Sequence, residues 1–213
     1  IVLILGMISV VYGIKAGFAA GQPVLPVLLI LAFGIAMLAA FARKQLRSRE
    51  PMLDLSLFSH PAIVAGMIMA IVAMGALGGV ELTLAQELQY VLGKTPLQAG
   101  IFMIPLMAAV AVGGPIAGYL SNLFGLRPVA VLSLLVSAVA LGFLAWSDFH
   151  QPGLSVPAML AVLGLMLSTG LTASSIAIMG SVEASKGGAA GSLEATGYEL
   201  GTGLGIALFG VFM

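Results

Sequence analysis

Two glutamates, Glu194 and Glu199, lie within a glycine-rich apolar stretch, residues 189–213, that is long enough to cross a membrane. A carboxylate at bilayer depth is costly, so it usually faces a protein-lined cavity or an ion path. Burial also favours the neutral form of a carboxyl group, which brings proton uptake and release closer to neutral pH. This stretch is therefore a candidate site for binding protons or cations.

Helical geometry separates the polar residues of this stretch from its glycines. Glu194 and Tyr198 are four residues apart and share a face, while Glu199 lies about 160° from Gly197. The free-energy cost of a charge in lipid favours the bundle interior for Glu199. Three glycines recur every fourth residue and form a seam for close helix packing: Gly197, Gly201 and Gly205.

Each glutamate also has a simpler interpretation. Glu194 lies near the predicted start of its helix, where a carboxylate is stabilised by the helix macrodipole. Glu199 could be a carboxyl group that hydrogen-bonds a neighbouring helix for packing alone. Both interpretations stay open beside proton or cation binding.

Composition identifies an integral membrane protein. The chain has 213 residues, of which 61% are hydrophobic and 8% are charged, against roughly 25% charged residues in soluble domains. The absence of cysteine excludes disulfides, thiolate metal sites and cysteine nucleophiles. A formal net charge of zero gives no reason to expect nucleic-acid binding.

The sequence contains no catalytic or phosphate-binding motif of the common kinds. His60 and His150 fall in loops on opposite sides of the membrane, so they cannot share a metal ion. We therefore expect no enzyme activity, no cofactor and no metal site.

Hydrophobic runs predict seven transmembrane helices, because a span needs about 20 mainly apolar residues. The predicted spans are residues 1–20, 24–42, 62–85, 97–120, 129–147, 154–179 and 189–213. Both ends of the chain fall inside apolar runs, from which we expect a longer polytopic protein. The fold class expected is thus an all-α polytopic membrane protein.

Positive charges orient these helices. One set of loops holds six Lys or Arg residues and is predicted to be cytoplasmic; the other set holds Lys15 and Lys94. Residues 48–61 lie on the cytoplasmic side, where they are predicted to form a short amphipathic surface helix or a plain linker.

The outer end of the third span is the remaining polar region of interest. Glu81 and Gln86 follow a long uncharged run and are candidates for a substrate path, with an ordinary solvated helix end as the alternative. The hydroxyl groups of the sixth span can bond back to helix carbonyls and so need no substrate to explain them: Ser168, Thr169, Thr172, Ser174 and Ser175.

Four strings occur in a characteristic order: PMLDLSLF at 51–58, QYVLGKTPLQAG at 89–100, GYLSNLFGLR at 118–127 and AGSLEATGYELG at 190–201. Together they resemble the fourteen-span drug:proton antiporters of the major facilitator superfamily, and in particular the exporters of quaternary-ammonium compounds and methyl viologen. The third string is similar to the cytoplasmic loop motif of that superfamily, which here involves Gly118, Asn122, Gly125 and Arg127. It departs from the motif at Asn122, where the family has aspartate, and at Leu123, where it has a basic residue.

The resemblance covers essentially the whole chain and implies its organisation. Residues 1–59 would be an extra transmembrane hairpin with a cytoplasmic linker helix, and residues 60–213 would be five of the six helices of the second bundle. The expected location is the inner (cytoplasmic) membrane of a bacterium.

The function implied is proton-coupled export of lipophilic cationic drugs and biocides by alternating access. Glu199 and Glu194 would couple protons to cations, and Tyr198, Glu81 and Gln86 would lie along the substrate path. Its partners would be protons, membrane lipid and the remaining helices of the parent transporter. The alternative is a fragment that transports nothing, or an interaction module that pairs with another helix through the glycine seam.

Overall fold

The computed structural model describes residues 2–18, 23–47, 55–149 and 153–211. These residues contain seven α-helices and, within the described ranges, no strand, which confirms the all-α fold class. The helices are α1 Val2–Phe18, α2 Val24–Arg47, α3 Pro61–Gln86, α4 Pro96–Phe124, α5 Leu126–Ala145, α6 Ser155–Met179 and α7 Gly187–Val211.

Five of the described helices are long and apolar enough to cross a membrane: α2, α3, α4, α5 and α6. Helix α1 contains a shorter apolar segment, Ile4–Gly17. Helix α7 has 25 residues, but its glycines and its two glutamates make it less apolar than these five. The helix with the candidate carboxylates is therefore less suited than these five to face lipid on all sides.

The chain divides into two compact units, Ile1–Ser56 and Leu57–Met213. The first unit contains α1 and α2, which pack as an antiparallel pair. A methyl group placed on Gly6 would lie 2.9 Å from Leu38, and one placed on Gly13 would lie 2.7 Å from Leu31. Glycine on α1 thus lets leucine side chains of α2 approach the backbone.

Helix α6 is the centre of the second unit and packs against α3, α4 and α5, while α7 packs mainly against α3. One side of α6 carries leucines that are fully buried in the main apolar core: Leu160, Leu163 and Leu167. A smaller core fixes the first turns of α7 at the opposite end of the unit, and it is formed by Leu57, Ile63, Met67, Ile178, Ala190 and Leu193.

Helices α4 and α6 approach each other through small residues. The Ser168 hydroxyl donates a 2.8 Å hydrogen bond to the Val110 carbonyl of α4 rather than to a carbonyl of its own helix. Thr169 and Ser174 do bond back, to the carbonyls of Leu165 and Leu171. Ser168 differs because Gly113 opposite it has no side chain to separate the two helices.

Replacing Gly113 by alanine is expected to destabilise the protein. The new methyl group would lie 2.6 Å from Ser168 Cβ, and overpacking of this kind costs about 1–3 kcal/mol. Gly100 of the same helix has open space around it and supplies the control Gly100→Ala. Thermal unfolding in detergent should show a lower Tm for Gly113→Ala alone. Equal Tm values for the two variants would contradict the close α4–α6 contact.

A π-helical turn, Glu87–Val91, follows α3. Leu92 N–H donates to the Glu87 carbonyl at 3.0 Å, and Gly93 then reverses the chain with φ +61°. Of the surface helix predicted over residues 48–61, residues 48–54 lie outside the described part of the chain. Its end, Leu55–Ser59, is a short 3₁₀ turn, followed by His60 and by Pro61 at the start of α3.

Candidate functional site

The glycines of α7 set the position of the candidate site. A methyl group on Gly197 would lie 3.0 Å from Met67, and one on Gly201 would lie 2.6 Å from the Ile71 carbonyl oxygen. One on Gly205 would overlap the backbone of Gly75 in α3. All three seam glycines are buried, so the backbones of α3 and α7 are in direct contact.

This contact runs parallel along both helices. Residue 67 faces 197, residue 71 faces 201 and residue 75 faces 205, which is a constant offset along the chain. Because the seam is buried against α3, it presents no free surface for pairing with another protein. The close contact also fixes the rotation of α7 and therefore the directions of its polar side chains.

Glu194 and Tyr198 lie on the side of α7 that approaches α6. The Tyr198 hydroxyl donates a 2.5 Å hydrogen bond to Glu194 Oε1 and lies 3.5 Å from the Leu171 carbonyl oxygen of α6. Both side chains are half-buried, and the hydroxyls of Ser174 and Ser175 are close to that of Tyr198. The structure thus brings a carboxyl group, a phenol and polar groups of α6 together inside the helical unit.

Glu199 is placed differently. Its side chain is exposed at the surface of the described helices, on the side of α7 away from α3, and it makes no hydrogen bond or ion pair within the described residues. It lies 12 residues, or about 18 Å, from the start of α7 at Gly187. A charge so far along an apolar helix requires a polar neighbour or water rather than lipid.

Glu81 and Gln86 lie far from this pair. With the offset between α3 and α7, Glu81 is level with residue 211, about 18 Å along the axis beyond Glu199. Gln86 is the last residue of α3, and both side chains are partly buried. The structure therefore does not bring the outer polar group together with Glu194 and Tyr198.

The cytoplasmic loop motif forms a tight corner between α4 and α5. Gly125 is the single residue between them and has φ +84°, a conformation that favours glycine, and its N–H donates to the Ser121 carbonyl at 3.0 Å. Gly118 has open space around it, while Asn122 and Arg127 are exposed. Within this corner, the described geometry requires glycine only at Gly125.

Histidines contribute nothing to a metal site in the described part of the chain. His60 precedes α3 and is exposed, whereas His150 lies outside the described residues. Among the described residues, no group of three His, Asp or Glu side chains could hold a metal ion. The groups that these residues offer for binding or proton exchange are carboxyl, phenol and hydroxyl groups within a helical bundle.

Five described helices that are long and apolar enough to cross a membrane indicate a multi-pass membrane protein. Residues 64–213 match the profile of the Major Facilitator Superfamily, which is well over half of the chain. The chain therefore belongs to the Major Facilitator Superfamily, a superfamily of transporters rather than of enzymes. This result confirms the resemblance found in the four sequence strings.

Curated relatives cover the whole chain or most of it. It is 40% identical over its full length to the methyl viologen resistance protein SmvA of Salmonella typhimurium and 29% identical to the tetracenomycin C resistance and export protein of Streptomyces glaucescens. It is 35% identical over 84% of its length to the multidrug efflux pump LfrA of Mycolicibacterium smegmatis. The chain spans 43%, 40% and 36% of these relatives, respectively.

Leu171 and Gly75 contact residues of the site and are not among the site residues predicted from the sequence. Leu171 contributes a backbone carbonyl oxygen, for which its side-chain type gives no signal. Gly75 faces Gly205, and its place in a Gly75-x-x-x-Gly79 pattern on α3 is a signal that could have suggested a second glycine seam.

Proposed function

We propose that this chain is part of a proton-coupled multidrug exporter, which moves lipophilic and quaternary-ammonium cations out of the cytoplasm by alternating access. The observation that carries the proposal is the Glu194–Tyr198 pair facing α6, in a chain 40% identical throughout to a methyl viologen resistance protein. Methyl viologen is an organic dication, so a carboxylate within the bundle suits it electrostatically. The similarity to a multidrug efflux pump supports export rather than uptake.

Glu199, together with Glu194, is proposed to couple the two fluxes. A single carboxylate that binds either a proton or a cation suffices for exchange, because occupancy by one excludes the other. Glu199 is exposed and unpaired within the described residues, so it is accessible to such a ligand. Glu194 is about 10 Å from the start of α7, nearer the side that the positive loops make cytoplasmic.

The helices of the chain are proposed to be organised as the resemblance to the drug:proton antiporters implies. Residues 1–59 would be the extra hairpin with its linker, and residues 60–213 five helices of the second bundle. The remaining helices of the exporter would complete the central cavity, whose opposite faces open in turn as the bundles rock. Glu81 and Gln86 would lie at the outer end of the substrate path. The proposed location is the inner membrane of a bacterium, in contact with lipid.

Methionine side chains on α3 suit a varied set of substrates. Met67 and Met74 are buried or partly buried near the α3–α7 contact and the main core. Thioether side chains are flexible and polarisable, so they adapt to molecules of different shape. A flexible apolar wall and a fixed carboxylate together would select substrates by charge more strongly than by shape.

Expression of the full-length protein in a bacterial strain without its own drug exporters tests this function. Cells should tolerate several-fold more methyl viologen and quaternary-ammonium biocide than cells with an empty vector. Tolerance to a neutral antibacterial of similar lipophilicity should be unchanged, because it offers no charge to a carboxylate. Protection that fails to appear, or that extends equally to the neutral compound, would contradict cation export.

A further inference from the structure

The Tyr198 hydroxyl has one proton and four oxygen neighbours: Glu194 Oε1, the Leu171 carbonyl oxygen and the nearby hydroxyls of Ser174 and Ser175. It donates to Glu194 Oε1 at 2.5 Å, while the Leu171 carbonyl oxygen of α6 is 3.5 Å away. A phenol hydroxyl donates one hydrogen bond, so the shorter contact with the carboxyl group takes its proton in this arrangement. The longer contact becomes available only when the hydroxyl is no longer engaged by Glu194.

The strength of the shorter bond depends on the charge of Glu194. A hydrogen bond to an ionised carboxylate is roughly twice as strong as one between neutral groups. When Glu194 is protonated, its own O–H becomes a donor, and the hydrogen bond that Glu194 accepts from the Tyr198 hydroxyl weakens. The hydroxyl is then free to rotate toward Leu171, whose carbonyl already accepts a 2.7 Å bond from Ser174.

Among the described residues of α3 and α6, no charged side chain faces this pair. Helix α6 contains no Asp, Glu, Lys, Arg or His, and the single charged residue of α3 is Glu81, far along the axis. On α7 itself, Glu199 is exposed and lies about 140° around the helix from Glu194 and about 100° from Tyr198. Lys186, in the turn before α7, is about 12 Å from Glu194 along the axis. Within the described residues, Tyr198 is the side chain seen to hydrogen-bond Glu194.

We propose that Tyr198 is a positioning residue whose hydroxyl turns between Glu194 and the Leu171 carbonyl as Glu194 releases or binds a proton, and so transmits proton occupancy to the α6–α7 contact. The proposal rests on the proposed function in that Glu194 exchanges protons during transport. It assigns Tyr198 a role that requires no contact with the exported cation. Its hydroxyl is the part that matters, because the ring alone would serve for packing.

Infrared difference spectroscopy of the full-length protein in lipid, titrated with acid and without substrate, tests this role. The protonated carboxyl band that Glu194→Gln removes reports on Glu194. Tyr198→Phe should move the midpoint of that band to higher pH by roughly one to two units, because the ionised form loses a strong donor. Tyr119→Phe, on an exposed tyrosine of α4, should leave the midpoint unchanged.

The turning of the hydroxyl has its own signature. In the wild type, the tyrosine C–O stretching band should shift with the same midpoint, and this shift should be missing in Glu194→Gln and in Tyr198→Phe. A carboxyl midpoint unaffected by Tyr198→Phe, or a tyrosine band that does not follow pH, would overturn the proposal.

A second variant covers the case in which Tyr198→Phe fails to fold. Glu194→Asp withdraws the carboxyl group by one methylene and should shift the midpoint in the same direction. An unshifted midpoint in Glu194→Asp would overturn the proposal. Adding Tyr198→Phe to Glu194→Asp, where the double variant folds, should produce little further change, and a fully additive shift would also count against it. The titration needs no substrate, so it tests the role of Tyr198 separately from transport. Absence of transport in the same preparations would contradict the proposed function, while the titration would still test Tyr198.

Discussion

Glutamine in place of Glu199 in the full-length protein is expected to abolish cation uptake driven by a pH gradient while leaving membrane insertion unchanged. Glutamine keeps the size and hydrogen-bonding groups of the side chain but neither ionises nor attracts a cation. If Glu199 served packing alone, the variant would retain coupling, since an amide satisfies a neighbouring helix as well as a carboxyl group does. The measurement is uptake of a lipophilic dication into proteoliposomes with an acidic interior.

The control for this variant is Glu183→Gln, which removes an exposed carboxylate from the turn before α7. It should transport at the wild-type rate, because Glu183 lies outside the membrane-spanning helices. Uptake by Glu199→Gln that still follows the pH gradient would remove Glu199 from the coupling mechanism. Glu194 would then be the remaining carboxyl group of α7 for that role.

Gly205→Ala is expected to lower the free energy of unfolding more than Gly113→Ala does. The added methyl group would overlap the Gly75 backbone, which cannot move aside as a flexible side chain does. Overpacking costs about 1–3 kcal/mol and occasionally more, and a backbone neighbour places this site at the upper end. Gly201→Leu should also impair folding more than substrate range, because Ile71 backbone atoms lie within 3.1 Å of a side chain there.

Gly203 provides a matched control two residues away on the same helix. It is exposed, and a methyl group there meets nothing within 4 Å. Alanine is favoured over glycine in a helix by up to about 1 kcal/mol, so Gly203→Ala should match or exceed wild-type stability. Thermal unfolding in detergent compares the two variants directly. A Gly205→Ala protein as stable as Gly203→Ala would contradict the backbone contact of α3 and α7.

The helices were predictable because apolar length is a local property of the sequence. The sixth span was predicted over residues 154–179, and α6 runs over Ser155–Met179. Ends were less accurate where polar residues continue a helix, as in α2, which extends to Arg47 rather than to residue 42. Apolar length does not mark where the backbone hydrogen bonds stop, so a helix can continue beyond its apolar run.

The contacts between helices were only partly visible in the sequence. The glycine seam of α7 could be found by its spacing, but its partner on α3 depends on how two distant segments align. The Tyr198–Leu171 approach depends on the same alignment and involves a backbone carbonyl, which every residue type carries. The π-helical turn Glu87–Val91 likewise adds a residue to the turn without any signal in residue type.

Accumulation of methyl viologen by proteoliposomes of the full-length wild-type protein, with the membrane potential held at zero, tests cation–proton exchange most directly. With an acidic interior, the account predicts accumulation of about tenfold per pH unit for each proton exchanged, and its collapse when an ionophore dissipates the gradient. Equal concentrations inside and outside despite a maintained gradient would contradict proton-coupled export of cations.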